Sequence, residues 1–229
     1  MRKRFGVSLG VVAVFVLLVS FTSIAPAAEK PIVIGAPLAT AFLYGWDAER
    51  GIKLAIEEIN ATGGVAVGGK KHPFSVEVID TRDLEPGVPV SDALLGLEKL
   101  ILDKKADFII GGPVRSEAAL AAMDLLNKYK KISILTTGVL TPAYHNKVAE
   151  NYDKYKYCFR ITSHVGVLAN EFVTLFTDIK KGHGFNKVYI MVQDVAHARG
   201  AGEVMKKMLA ANGWDVVDMK IFPTGTTDY

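Results

Sequence analysis

A single cysteine, Cys158, stands among 229 residues. No internal disulfide can form, so the fold has to be held by core burial, which a chain of this length can supply. Metal-ligand patterning is missing too. The five histidines, His72, His145, His164, His183 and His197, include no pair at the spacing of a metal-binding helix or knuckle, and no carboxylate cluster stands beside them. There is no Gly-x-Ser-x-Gly elbow. Cys158 lies in the apolar run Tyr157–Ile161, where a buried thiol is inert. These absences leave no nucleophile–base pair and no metal or cofactor site to expect.

Excess charge of one sign is scarce once the first residues are set aside. Arg2, Lys3 and Arg4 precede an apolar run from Val7 to Ile24 and then Ala25-Pro26-Ala27. That is the n-region, h-region and cleavage site of a secretory signal, with the cut expected after Ala27. The other reading of so long a run is a retained membrane anchor. No cysteine near the cleavage site offers a lipid attachment point. Losing those three basic residues takes the basic count from 27 to 24, against 24 acidic residues. A neutral mature chain has no electrostatic footprint for nucleic acid or an anionic membrane.

What is present is an alternation of short apolar strands and amphipathic helices. Ile32–Ala36, Phe74–Ile79, Asp107–Ile110 and Ile132–Leu135 read as strands. The first helix shows Ile52, Ala55, Ile56 and Ile59 on one face and ends at Gly63-Gly64. Helices over about Ser91–Asp103 and Ser116–Tyr129 follow. Repeated βαβ units predict an α/β fold with a parallel sheet covered on both faces. After the polar stretch Thr141–Lys156, Tyr157–Ile161 is extended and Thr162-Ser163-His164 caps a helix with Leu168, Phe172, Leu175, Phe176 and Ile179 on its apolar face. Lys187–Val192, a helix around Ala201–Leu209 and Trp214–Phe222 complete the pattern. Residues 28–155 therefore read as one lobe, and 156–229 as a hinge strand with part of a second. Pro223–Asp228 supplies a turn and helix-cap residues with only Tyr229 behind them, so the second lobe is expected to be incomplete.

Four loops, Pro37–Tyr44, Gly111–Ser116, Thr136–Thr141 and Gln193–Arg199, follow strands and open helices. In a parallel sheet they share the carboxyl edge, where open α/β folds bind ligands. Arg115 offers a planar cationic fork beside Ser116, which can cap the helix or reach outward; a solvated arginine with a plain cap is the alternative. Arg199 repeats the logic in the second lobe, and two opposed arginines could clamp one anion or touch different parts of one molecule. Thr137 and Gly138 offer a hydroxyl and an approachable backbone. Tyr44 is open to either site or core, Trp46 is assigned to core packing, and His197 and His164 stand near helix starts facing the possible cleft. Gly64–Lys71 superficially fits a phosphate loop, but it follows a helix and ends in Lys-Lys-His-Pro, so a glycine-rich hairpin is expected.

Ile32-Val-Ile-Gly-Ala-Pro-Leu38, Tyr44-Gly45, Gly51 through Val65, Asp80 with Asp83 and Pro86, Phe108 through Pro113, Thr136-Thr137-Gly138, Phe159-Arg160-Ile-Thr and Thr227-Asp228-Tyr229 stand in the order and spacing of one family. The chain resembles the periplasmic branched-chain amino-acid-binding proteins, the type I solute-binding proteins of ABC transporters. The resemblance implies two Rossmann-like lobes closing on a small carboxylate-bearing ligand, a monomer in the periplasm, and delivery to an inner-membrane permease. It implies ligand contacts at Tyr44, in the loop of Val114, Arg115 and Ser116, in the loop of Gly138 and Val139, and at Arg199 or its neighbour Ala198 in the second lobe; Thr137 and His197 join the expected contacts from the reading of the residues themselves. Leu140 departs from an expected threonine, and Arg199 or Ala198 replaces an expected aromatic. These departures put an α-ammonium site in question and favour an organic acid, aromatic or short aliphatic. A sensory ectodomain of the same fold and a secreted α/β enzyme are the alternative functions.

Overall fold

The computed structural model describes residues 29–227; the expected signal peptide, Asp228 and Tyr229 lie outside the described residues. The chain alternates as the pattern requires: β1 (Ile32–Leu38), α1 (Leu43–Ala61), β2 (Val65–Val67), β3 (Lys70–His72), β4 (Phe74–Asp80), α2 (Val90–Leu102), β5 (Phe108–Gly111), α3 (Ser116–Tyr129) and β6 (Ser133–Leu135). Then come α4 (Ala143–Glu150), α5 (Tyr152–Tyr155), β7 (Cys158–Arg160), α6 (Val165–His183), β8 (Lys187–Gln193), α7 (Ala196–Ala211) and β9 (Asp215–Phe222). The glycine-rich segment forms the expected antiparallel hairpin, Val65 opposite His72. The polar stretch after β6 holds two short helices that its composition does not announce.

Strands β4, β1, β5, β6 and β7 lie side by side in one parallel sheet, and β8 pairs with β9 in a second parallel pair. The connection β1 to β4 runs opposite to β4–β5, β5–β6 and β6–β7 across the sheet. With right-handed crossovers, α1 falls on one face and α2, α3, α4 and α5 on the other. The main core forms on that second face. Leu97, Leu100 and Ile101 of α2 meet Ala119, Ala122, Met123 and Leu126 of α3 over Ile109, Leu135 and Cys158 of the strands. Side chains of alternate parity, such as Ile110, Ile134 and Phe159, turn to the α1 face. Cover is thinner there: Phe159 is half exposed, and Ile161 beyond it is 73% exposed.

Two expectations of burial are corrected. Trp46, assigned to the core, is 47% exposed, with the Arg50 guanidinium 3.5 Å from its ring centroid. Phe172 and Leu175, on the apolar stripe of α6, are also exposed, while Val165 and Ala169 of that helix are buried. Phe176 packs edge-on against Trp214, with ring centroids 5.3 Å apart. Cys158 is buried, and burial pushes its thiol up to about 11, which keeps it protonated and unreactive at neutral pH.

Core cost follows from this division. Leu97→Ala, at a fully buried position, is expected to lower unfolding free energy by about 2–5 kcal/mol. Leu54→Ala on the open side of α1 is expected to change it by less than about 0.5 kcal/mol. Urea denaturation of both variants measures the contrast.

Candidate functional site

Every parallel strand of the first sheet ends on the same edge, and the loops that leave it are fastened to one another by a side chain the sequence reading left without a role. Asp83 is fully buried in the loop after β4. Its Oδ1 accepts the Thr81 hydroxyl at 2.6 Å. Its Oδ2 accepts the N–H groups of Val114 and Arg115, each at 2.8 Å. Asp80 does similar work nearer the surface, accepting the N–H groups of Thr40 and Arg82. The short spacing between Thr81 and Asp83 was a readable signal of a local side-chain turn; the partner on the next loop was not.

The Asp83 contacts correct the expected cap. Arg115, not Ser116, occupies the cap position of α3, and no side chain of that residue caps the helix. The backbone donors of Val114 and Arg115 are spent on Asp83 and are not free for a ligand. Val139 is likewise committed: its N–H donates to Val114 O at 3.1 Å, and its carbonyl accepts from Arg160 at 2.8 Å. Its side chain is buried in the core. Arg160 also donates to the carbonyl of Thr141 at 2.8 Å and contacts His145 Nδ1, so it pins the loop after β6. Gly138 in that loop has φ of +63°, and a Cβ there would stand 2.6 Å from Val114 O, which only glycine avoids.

The nine expected contact residues fall into three places. Tyr44, 64% exposed, and Thr137 line a cavity of about 710 Å³ that runs beneath α1 between Ile52, Ile56 and Ile110, with Asp47 at its edge. Val114, Arg115, Ser116, Gly138 and Val139 form the fastened pair of loops. His197 and Arg199 belong to α7. Arg199 is ion-paired with Asp194, five residues before it, and not with a group shared with Arg115, so of the roles the sequence left open for it the structure shows a local ion pair. What spans from α3 to α7 is Glu117, whose Oε1 accepts the Ala196 N–H at 3.0 Å. His164 is occupied as the cap of α6, its Nδ1 accepting from Gly166 N.

The cavity under α1 and the polar chemistry do not coincide. The space under α1 is walled mainly by apolar side chains and offers an anion little. Six buried side-chain polar atoms among the described residues have no hydrogen-bond partner, and three belong to consecutive residues: Arg115 Nε, Ser116 Oγ and Glu117 Oε2. A single Arg115 contact, NH1 to Val88 O at 3.2 Å, leaves the rest of its fork unused. Ser116 is 1% exposed. These groups stand on the first turn of α3, where unpaired N–H groups and the helix dipole favour an anion. Opposite them, burial holds His197 below the usual imidazole range, with the nearby Glu117 charge acting the other way. His145 is also lowered, chiefly by burial and then by Arg160 and His164.

A family model for periplasmic binding proteins matches residues 36–229. Among solved structures, a proposed branched-chain amino acid ABC transporter from Silicibacter pomeroyi aligns with a TM-score of 0.68 at 21% identity, covering 86% of this chain and 49% of that one. The branched-chain amino acid transporter substrate-binding protein LivJ of Streptococcus pneumoniae, in complex with isoleucine, aligns with a TM-score of 0.64 at 20% identity, covering 87% and 52%. An ABC transporter solute-binding protein from R. palustris, in complex with 4-hydroxybenzoate, aligns with a TM-score of 0.62 at 24% identity, covering 87% and 48%. At these identities the likeness establishes the fold. The chain spans about half the length of the structures it matches.

Two outcomes are expected from the site's geometry. Asp83→Ala strands two backbone N–H groups, one buried and one part-buried, and is expected to destabilise the chain by about 2–6 kcal/mol in urea unfolding, each lost partner costing about 1–3 kcal/mol. Histidines held low in the fold are neutral there and take up protons more readily when unfolded. Their contribution is complete above the ordinary histidine range and is lost as pH falls through about 6.5 toward the lower folded value. Thermal melts at pH 7 and 5 are expected to show a drop that flattens in a variant with His145→Asn and His197→Asn together.

Proposed function

The chain belongs to the periplasmic binding protein family, and from that premise we propose that it captures a small carboxylate-bearing solute for an ABC importer. The reading rests above all on Ser116: a hydroxyl 1% exposed, without a partner, on the first turn of a helix. A buried polar atom left unpaired costs about 1–3 kcal/mol, so a ligand oxygen arriving there recovers a lost interaction. Arg115 Nε beside it supplies charge suited to a carboxylate. Tyr44 and Thr137, which line the cavity under α1, are the proposed contacts for an apolar or aromatic ligand body extending away from Ser116.

In this reading residues 28–155 and 156–229 act as two lobes. The separate hydrogen bonding of β8 and β9 supports the division, and β7, paired with β6, is the strand by which the chain leaves the first sheet. Closure is a hinge motion near Phe159–His164 whose equilibrium shifts toward the closed state because the ligand touches both sides. Export through residues 1–27, residence in the periplasm as a monomer and delivery to an inner-membrane permease complete the proposal. Among the described residues no helix is long and apolar enough to cross a membrane. Structural relatives in complex with isoleucine and with 4-hydroxybenzoate place amino acids and aromatic acids first among the compounds to try.

Calorimetry of the chain against leucine, isoleucine, benzoate and 4-hydroxybenzoate is the direct measurement. Ser116→Ala is expected to weaken the acid that binds by about tenfold or more, while the melting temperature stays level or rises because an unpartnered buried hydroxyl is gone. An unchanged affinity in that variant overturns the assignment.

A further inference from the structure

Capture of a carboxylate explains Ser116 and Arg115 but not Glu117, the next residue. Glu117 Oε1 accepts the Ala196 N–H at 3.0 Å and so caps α7 from the first turn of α3. Oε2 of the same side chain is buried without a hydrogen-bond partner. Among the described residues no lysine, arginine or histidine reaches Glu117 as an ion-pair partner. His197, adjacent to Ala196, does not supply the missing positive charge, since burial favours its neutral form. Two helix starts account for a carboxylate at this place. They do not account for an oxygen that accepts hydrogen bonds, is shut off from water and receives none.

Resting on the proposed capture of a carboxylate at Ser116, we infer that Glu117 is a specificity residue of the same site: its Oε2 receives an N–H or O–H donor carried by the bound acid. Ser116 and Arg115 meet the ligand's carboxylate, and Glu117, one residue along the helix, meets its ammonium or hydroxyl group. The ligand class is amino or hydroxy acids, in preference to unsubstituted acids and to dicarboxylates, whose second charge Glu117 repels. The donor partner in question at Leu140 and Arg199 is thereby supplied from a different position. Because Oε1 is tied to α7, a donor held by Oε2 also bears on the contact between α3 and α7.

Matched ligand pairs test this by calorimetry on the full chain: leucine against 4-methylpentanoate, and 4-hydroxybenzoate against benzoate. In the wild type, the donor-bearing member of the pair that binds is expected to be at least about tenfold tighter, as sites built around a ligand N–H or O–H discriminate. Glu117→Gln, close in shape, and Glu117→Ala are both expected to reduce that preference to about threefold or less, with the unsubstituted acid's affinity preserved. Equal wild-type binding of both members, or a preference that survives in both variants, overturns this inference and leaves the carboxylate reading standing. A wild-type chain that binds no member of either pair overturns the carboxylate reading, and this inference with it.

Discussion

The carboxylate of Asp83, closed off from water, is the interaction on which the carboxyl edge of the first sheet depends. It accepts one hydroxyl from its own loop and two backbone N–H groups from the loop after β5. Buried anionic groups survive when several donors converge on them. Here the donors are the backbone of the residues that start α3, so the same contacts that satisfy Asp83 also set where Arg115, Ser116 and Glu117 stand. The loop after β6 then packs on this base, through Gly138 against Val114 and through Arg160 holding two of its carbonyls. A chain of contacts, mostly between side chains and backbone, thus runs from β4 to β7 along one edge.

This arrangement separates strength from chemistry. The N–H groups nearest the strand ends, which a phosphate-type loop would present to a ligand, are used up inside the protein. The unpaired side-chain groups begin on Arg115 itself and continue on Ser116 and Glu117. Side-chain recognition of this kind is specific to residue type, whereas a backbone nest accepts any small anion. In the proposed reading, the site's character rests on three successive residues and on how α7 approaches them.

Fold class, strand order along the chain, the hairpin after α1 and the buried state of Cys158 were legible from periodicity and punctuation, because those are local properties. Burial was legible only on the α2–α3 side. Trp46, Phe172 and Leu175 occupy apolar positions by pattern and are exposed nonetheless, since a stripe says which face can be buried and not what arrives to cover it. Helices α4 and α5 were illegible for a related reason. Their residues are polar, and Tyr144 and Tyr155 become core members only by contact with α3 and Cys158.

The candidate site divides along the same line. The sequence by itself determined that Gly111–Ser116 and Thr136–Thr141 share an edge, since alternating strands and helices leave their loops no other place. Only the tertiary structure decided that Asp83 consumes the backbone donors of Val114 and Arg115 just before α3, that Arg199 turns to Asp194, and that Glu117 is the residue meeting α7. Each of these is a contact between groups far apart in sequence or a choice among nearby partners. Spacing fixes where a side chain is rooted along its own helix or strand; which group it meets depends on how the elements pack in three dimensions.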